Sequence, residues 1–178
     1  MASPKCQVAW FTGLSGAGKS TIAELVAGLL RKKGKTVLVL DGDAVRARLH
    51  QHLWFTPEDI RENNRLITGL CRDSLTDYDV ILVPIISPFR DSRKQSQRIL
   101  GDAFREVFVH VSLDEAARRD TKGLYRQAQE GTLTNMIGIA PEVPYEAPED
   151  PDLILNTETF SAEACSQQLL DFLIRDPG

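Results

Sequence analysis

Val8-Ala9-Trp10-Phe11-Thr12-Gly13-Leu14-Ser15-Gly16-Ala17-Gly18-Lys19-Ser20-Thr21 is the stretch on which the reading of this chain turns. Its first five residues are a β-branched and aromatic run that ends on glycine, the pattern of a short buried strand entering a turn. Residues 21–33 then place Ile22, Leu25, Val26, Leu29 and Leu30 on one helical face. Between strand and helix, Gly13 to Ser20 fits G-x-x-x-x-G-K-[ST]. In such a loop the backbone N–H groups of a glycine-rich turn close around phosphate oxygens at a helix N-terminus. The pattern assigns Lys19 to the β- and γ-phosphates of ATP and Ser20 to Mg²⁺. Gly13, Ser15, Gly16, Ala17, Gly18 and Thr21 complete this set of ATP-side candidates. A merely flexible Gly-Ser loop would leave the lysine unexplained.

Working outward, residues 36–40 (TVLVL) form a continuous apolar run, as expected of a strand covered on both faces of a parallel sheet. Thr56-Pro57-Glu58-Asp59 reads as a helix start with a capping hydroxyl, an early proline and acids at the positive dipole end. That helix is expected to reach about Asp77. Strands at 80–86 and 107–111, a helix at 91–104 and a helical stretch at 113–129 follow. A last strand at 152–155 precedes a helix opened by Ser161, with Leu169, Leu170, Leu173 and Ile174 on its apolar face. This alternation predicts a single α/β domain over residues 1–178, a doubly wound parallel sheet of P-loop NTPase type with helices on both faces. Ligands of such sheets bind at the carboxyl ends of the strands. Residues 131–151 are rich in Gly and Pro and too long for an ordinary connection. They read as part of a mobile lid at about 121–150.

Two further motifs fall on the carboxyl rim. Asp41-Gly42-Asp43 ends the second strand, so one carboxylate can help order Mg²⁺ through water and the other can take a proton from an acceptor hydroxyl. Asp43 can also be read as a helix cap, the two roles being compatible, and Arg46, within a turn, can face an anionic acceptor or lie on the surface. Ser87-Pro88-Phe89-Arg90, with Arg93 three residues on, ends the third strand. It reads either as a third element of the site or as a loop where proline opens a helix and Arg90 is solvated.

Composition bounds the function. A 42% hydrophobic, 26% charged chain of 178 residues can bury a core unaided. Its net charge of −4 argues against nucleic acid as a partner. Lys32, Lys33 and Lys35 read as a solvated helix end. Cys6, Cys71 and Cys165 lack a CxxC pairing and read as reduced packing residues. His50, His52 and His110 have no metal-ligand spacing with them. No run in the sequence approaches a membrane span, and residues 1–7 hold no signal-like apolar stretch. A cytoplasmic protein without a membrane partner is the expectation.

Taken together, GLSGAGKST, LDGD with Arg46, Phe55 followed by Asp59 and Asn63, ISPFR, RDTKGLY and PYEAP resemble the adenylylsulfate (APS) kinase family, in the family's order and over residues 8–157. The resemblance implies transfer of the ATP γ-phosphate to the ribose 3′-hydroxyl of adenylylsulfate, under a closing lid, in a homodimer. It implies that Asp43 is the base, that Asp41 orders metal and ribose, that Arg119 packs on the ATP adenine and that Lys122 bridges toward the phosphates. Thr157 falls on the ATP side, and Arg46, Phe55, Asn63, Ile86, Ser87 and Met136 on the acceptor side, with Phe55 as a stacking wall.

The chain departs from the family pattern on the acceptor side. Ala44 replaces the usual Asn after DGD, and Ile60 an Arg that contacts the acceptor's anionic group. Arg61, about 100° further round a helix, is a poor substitute. The usual Gly-Phe-Thr-Gly of the lid reads Asn135-Met136-Ile137-Gly138, and Ala140-Pro141-Glu142-Val143 lengthens the approach to Pro144. An altered nucleotide acceptor such as a cytidine diphosphoramidate is the alternative these changes raise. A nucleotide-binding module without turnover is a second, opposed by the retained Lys19, Ser20, Asp41, Asp43 and Lys122.

Overall fold

The computed structural model describes residues 6–49 and 52–175; His50 lies outside them. Five strands run parallel: β1 (Gln7–Thr12), β2 (Val37–Val39), β3 (Val80–Val83), β4 (Phe104–His110) and β5 (Leu153–Asn156), in the order β2-β3-β1-β4-β5. The helices are α1 (Lys19–Lys32), α2 (Gly42–Leu49), α3 (Pro57–Ser74), α4 (Arg90–Leu100), α5 (Leu113–Arg119), α6 (Leu124–Gln129) and α7 (Ala162–Ile174).

Alternation along β1 builds two cores. Ala9 and Phe11 face one layer with Ile22, Val26 and Leu30 of α1 and Leu169 and Leu173 of α7. Val8 and Trp10 face the other, with Ile67 and Cys71 of α3 and Leu100 of α4. Neighbouring strands β1 and β3 therefore send their chains to opposite faces, β1 into α1 and β3 into α4. The crevice this opens at their carboxyl ends is where a doubly wound sheet takes ligands.

Several expected boundaries move, each for a local reason. Strand β3 stops at Val83 because Pro84 has no N–H to give a ladder. Helix α3 ends at Ser74, not near Asp77. Helix α4 ends at Leu100, a 3₁₀ turn spans Gly101–Ala103, and Phe104 belongs to β4, paired with Val8. The helix expected over 113–129 breaks at Asp120, whose backbone is left-handed (φ 35°) and whose carboxylate accepts the N–H groups of Tyr125 and Arg126 at the start of α6. Ile174 is exposed, while Leu169, Leu170 and Leu173 are buried. Thr56 and Ser161 cap α3 and α7 with their hydroxyls as expected. Cys6, Cys71 and Cys165 are buried free thiols. Burial pushes the Cys71 thiol up to about 12. Among the described residues no helix is long and apolar enough to cross a membrane.

Candidate active site

A cleft of about 290 Å³ opens at the carboxyl edge of β1, β2 and β3. One wall is the loop between β1 and α1. Gly13 is required by close approach: a Cβ there would stand 2.4 Å from the Val109 carbonyl oxygen. Gly18, at φ 100°, turns the chain into α1 in a conformation that side-chain-bearing residues rarely adopt. Lys19 opens α1 and curls back over the loop, donating to the carbonyls of Gly13 (2.8 Å) and Leu14 (2.7 Å). Only 8% of it is exposed. Burial, with the charge of Lys122 adding to it, pulls its ammonium down to about 7, against the opposing pull of Asp43 and Asp41.

The loop is held from outside the cleft too. The Tyr125 hydroxyl donates to Ser15 O (2.7 Å) and the Thr157 hydroxyl to Ala17 O (2.9 Å). Arg119 in turn donates to Thr157 Oγ1 (3.2 Å) and to its carbonyl (2.7 Å). Ser15, Gly16, Gly18, Lys19, Ser20 and Thr21 line the cleft, whereas Gly13, Ala17, Arg119 and Thr157 do not.

Facing the loop, the Ser20 hydroxyl donates to Asp41 Oδ2 at 2.8 Å. The other Asp41 oxygen accepts the N–H groups of Asp43 (3.0 Å) and Ala44 (3.2 Å), so the cap of α2 is Asp41 and not Asp43. Asp43, freed from capping, points its carboxylate to Lys122 Nζ at 2.5 Å, an ion pair that joins α2 to the turn between α5 and α6. Ser20 and Asp41 are hard oxygen donors side by side, a set that suits Mg²⁺ with several of its waters retained. No cluster of three or more His, Cys, Asp or Glu side chains that could hold a metal occurs among the described residues.

The far wall holds Arg46, Phe55, Asn63, Ile86 and Ser87. The Arg46 guanidinium lies 4.4 Å from the Phe55 ring centroid and donates to Trp54 O at 2.5 Å. Burial lowers its pKa from the usual value, with Asp43 and Asp59 opposing. Ser87 is buried at φ 43°, a backbone state that costs about 1–3 kcal/mol in a residue with a side chain. Its hydroxyl oxygen accepts from Trp10 Nε1 (3.0 Å) and Asn64 Nδ2 (3.1 Å).

One acceptor-side expectation needs correction. Met136 is 5% exposed and packs in the α1–α7 core, so it cannot cover a ligand's base; its neighbour Ile137 lines the cleft instead. Ile60 is 3% exposed and forms a small cluster with Phe89, Ala140 and Val143, against which Ile137 packs. The departures at 60, 137, 140 and 143 thus meet in one apolar seat beneath the 131–151 segment. Arg61 points elsewhere, 4.2 Å over the Phe89 ring and paired with Asp91 at 3.2 Å.

Arg90, far from being simply solvated, ties to the same segment, with its Nε donating to Ala147 O at 2.7 Å and an ion pair to Glu149 at 3.2 Å. Thr121, Asn64 and Ile60 also line the cleft, and Tyr125 braces it, without having been among the candidates. The signal for Asn64 was present: it falls with Ile60, Ile67 and Cys71 on the buried stripe of α3, and a polar residue there needs a partner.

Residues 5–156 match the family model described as adenylylsulphate kinase. The chain is 40% identical over 170 residues to a probable adenylyl-sulfate kinase of Bacillus subtilis, covering 95% of this chain and 85% of that one. It is 45% identical over 168 residues to the bifunctional enzyme CysN/CysC of Xylella fastidiosa, covering 94% of this chain but only 27% of that longer protein. Among solved structures, the Mycobacterium tuberculosis APS kinase CysC in complex with AMPPNP and APS superposes with a TM-score of 0.91 at 38% identity, over 97% of this chain and 99% of that one. The chain therefore belongs to the adenylylsulphate kinase family.

Proposed function

We propose that the chain transfers the γ-phosphate of ATP to the ribose 3′-hydroxyl of adenylylsulfate, yielding 3′-phosphoadenylylsulfate. The observation that carries this reading is the pairing of a braced phosphate loop with Asp43 across one cleft, in a chain so like a kinase solved with an ATP analogue and APS. Lys19 and Lys122 neutralise the transferring phosphoryl group, and the loop N–H groups hold the β- and γ-phosphates. Ser20 and Asp41 would hold Mg²⁺, which supplies charge neutralisation on the phosphate oxygens.

Asp43 must release Lys122 to accept the 3′-hydroxyl proton; the phosphates then compete for the ammonium and free the carboxylate. Phe55 and Ile137 present apolar faces for the acceptor's base, and Arg46, Asn63, Ile86 and Ser87 complete its contacts. Arg119 packs on the ATP adenine, held in place by its bonds to Thr157, whose hydroxyl braces the loop at Ala17 O. Residues 1–178 act as one kinase domain, residues 121–150 as its lid, and two copies as a homodimer, which sedimentation would test.

A coupled ADP-release assay with ATP, Mg²⁺ and adenylylsulfate, with the product identified by mass, tests the reading. A 3′-phosphorylated product is expected. Silence with adenylylsulfate and turnover of a cytidine diphosphoramidate would replace the acceptor; the relatives described above lend that alternative no support.

A further inference from the structure

Arg93 is charged, 2% exposed and outside the cleft lining, yet its guanidinium spans three parts of the molecule. Nε donates to Glu106 Oε1 at 2.6 Å, on β4. Nη1 donates to Ser87 O at 2.6 Å, and more distantly to Thr12 Oγ1 at 3.5 Å. Nη2 donates to Glu146 O at 2.7 Å, in the segment that follows the apolar seat. A buried guanidinium is costly to desolvate unless such bonds are complete, and no described buried side-chain nitrogen or oxygen lacks a partner.

Two of its contacts are main-chain carbonyls whose placement matters to the cleft. Ser87 keeps its strained φ only because its surroundings over-determine it. Its carbonyl is gripped by Arg93 and by the Thr12 hydroxyl (3.0 Å), and its side chain by Trp10 and Asn64. Residues 144–147 are strapped to the same place. The Glu146 N–H donates to Pro88 O (2.9 Å), its carboxylate accepts the Arg90 N–H (2.8 Å), and Tyr145 hydrogen-bonds Thr12 Oγ1 (3.0 Å) while stacking near Phe108. The phosphate loop meets this network only at its start, where Thr12 and the Gly13 N–H reach the carbonyls of Ile86 and Ser87, and is otherwise braced by Lys19, Tyr125 and Thr157.

We infer that Arg93 is a positioning residue for the acceptor half of the cleft: one guanidinium fixes the strained Ser87 carbonyl and straps residues 144–147 over it, leaving the phosphate loop to its own braces. This rests on the acceptor lying against Ser87, as proposed above. A lysine cannot replace the fork, because one ammonium cannot reach Glu106, Ser87 O and Glu146 O together in a plane.

The test compares wild type, Arg93→Lys and Tyr145→Phe, the last removing a second strap tether while keeping the ring. Each is measured for KM of adenylylsulfate and of ATP, for Tm, and for cleavage after Glu146 and Glu149 by a glutamyl-specific protease, with sites read by mass. Expected for Arg93→Lys are an adenylylsulfate KM raised about tenfold or more, the size of one lost charge-assisted bond, an ATP KM within about threefold, and faster cleavage of the strap. Tyr145→Phe should give the same selective pattern more weakly, and it carries the test if Arg93→Lys does not fold. KM values that move together overturn the inference, as does a strap cut no faster than in wild type. Should wild type ignore adenylylsulfate, the proposed function falls, and the cleavage rates alone decide for or against Arg93.

Discussion

Replacing Ile60 by Arg separates the structural account from the one that family resemblance suggests. On resemblance alone the change restores an anion-binding side chain and should lower the adenylylsulfate KM by about ten- to a hundredfold, the value of one charge-assisted hydrogen bond. In the structure Ile60 reaches the cleft lining but is 3% exposed and packed with Phe89, Ala140 and Val143, so an arginine there has to displace that cluster to meet a ligand. Arginine is longer than isoleucine and charged, so the variant overpacks the seat, at about 1–3 kcal/mol, and leaves part of its guanidinium desolvated, on the order of 1 kcal/mol more; a loss of about 2–4 kcal/mol is expected. For a chain of this size that is about 5–15 °C in Tm. Circular-dichroism melts with steady-state kinetics read both quantities, and Ile60→Val, at about 1 kcal/mol, calibrates the scale. Expected are a lowered Tm and no gain in acceptor KM. A Tm unchanged within about 2 °C together with a tenfold lower KM would refute the apolar-seat reasoning.

The remaining predictions are shorter. Asp43→Ala should lower kcat by about a hundredfold or more, as loss of a general base does, with ATP affinity by calorimetry retained; equal activity removes Asp43 from the mechanism. Lys19 is depressed from 10.5 to about 7, so between those values the unfolded chain binds the proton that the folded one lacks, and this group's contribution to stability rises with pH across that window and is at its lowest below 7. Phosphates re-protonate it, so ATP binding near pH 8 should take up a proton, seen as a buffer-dependent heat that Lys19→Met abolishes; identical heats in phosphate and Tris buffers count against the depressed lysine. Gly13→Ala puts a Cβ 2.4 Å from Val109 O, and should raise the ATP KM and lower Tm, whereas a wild-type ATP KM would show that the loop yields freely.

The sheet, its helices and the phosphate loop were legible because each carries a period or a fixed spacing that local chemistry enforces. Boundaries were less so where apolar residues run on past a break, as Phe104 does after Gly101, or where helical spacing continues across a left-handed residue, as it does at Asp120. Met136 was read one residue out of register with the cleft lining because residues 131–151 have no repeating pattern to tell an inward side chain from an outward one. Nor could sequence join Ile60 to Val143, some eighty positions apart, so it could not show that the changes at 60, 137, 140 and 143 share one packing site, of which Ile60 and Ile137 also line the cleft. Arg93 was noticed only as a neighbour on the rim, since burial and the carbonyls it holds are properties of the fold.

In-line phosphoryl transfer needs the attacking oxygen within about 3–3.5 Å of the phosphorus, and an error near 1 Å costs on the order of a hundredfold. A cleft whose halves were carried by separately hinged pieces would pay that error continually. Here both halves refer to one residue. Thr12 ends β1 and leads directly into Gly13, while its hydroxyl lies within hydrogen-bonding distance of the carbonyls of Ile86 (2.9 Å) and Ser87 (3.0 Å) and of the Tyr145 hydroxyl. Gly13 N–H adds a bond to Ile86 O. The phosphate loop and the Ile86–Ser87 wall are thus indexed to the β1–β3 pair, and the 144–147 strap is indexed to it as well. On the lid reading proposed above, movement of the rest of the 131–151 segment would leave the distance between donor and acceptor unchanged, because that distance is set by strands.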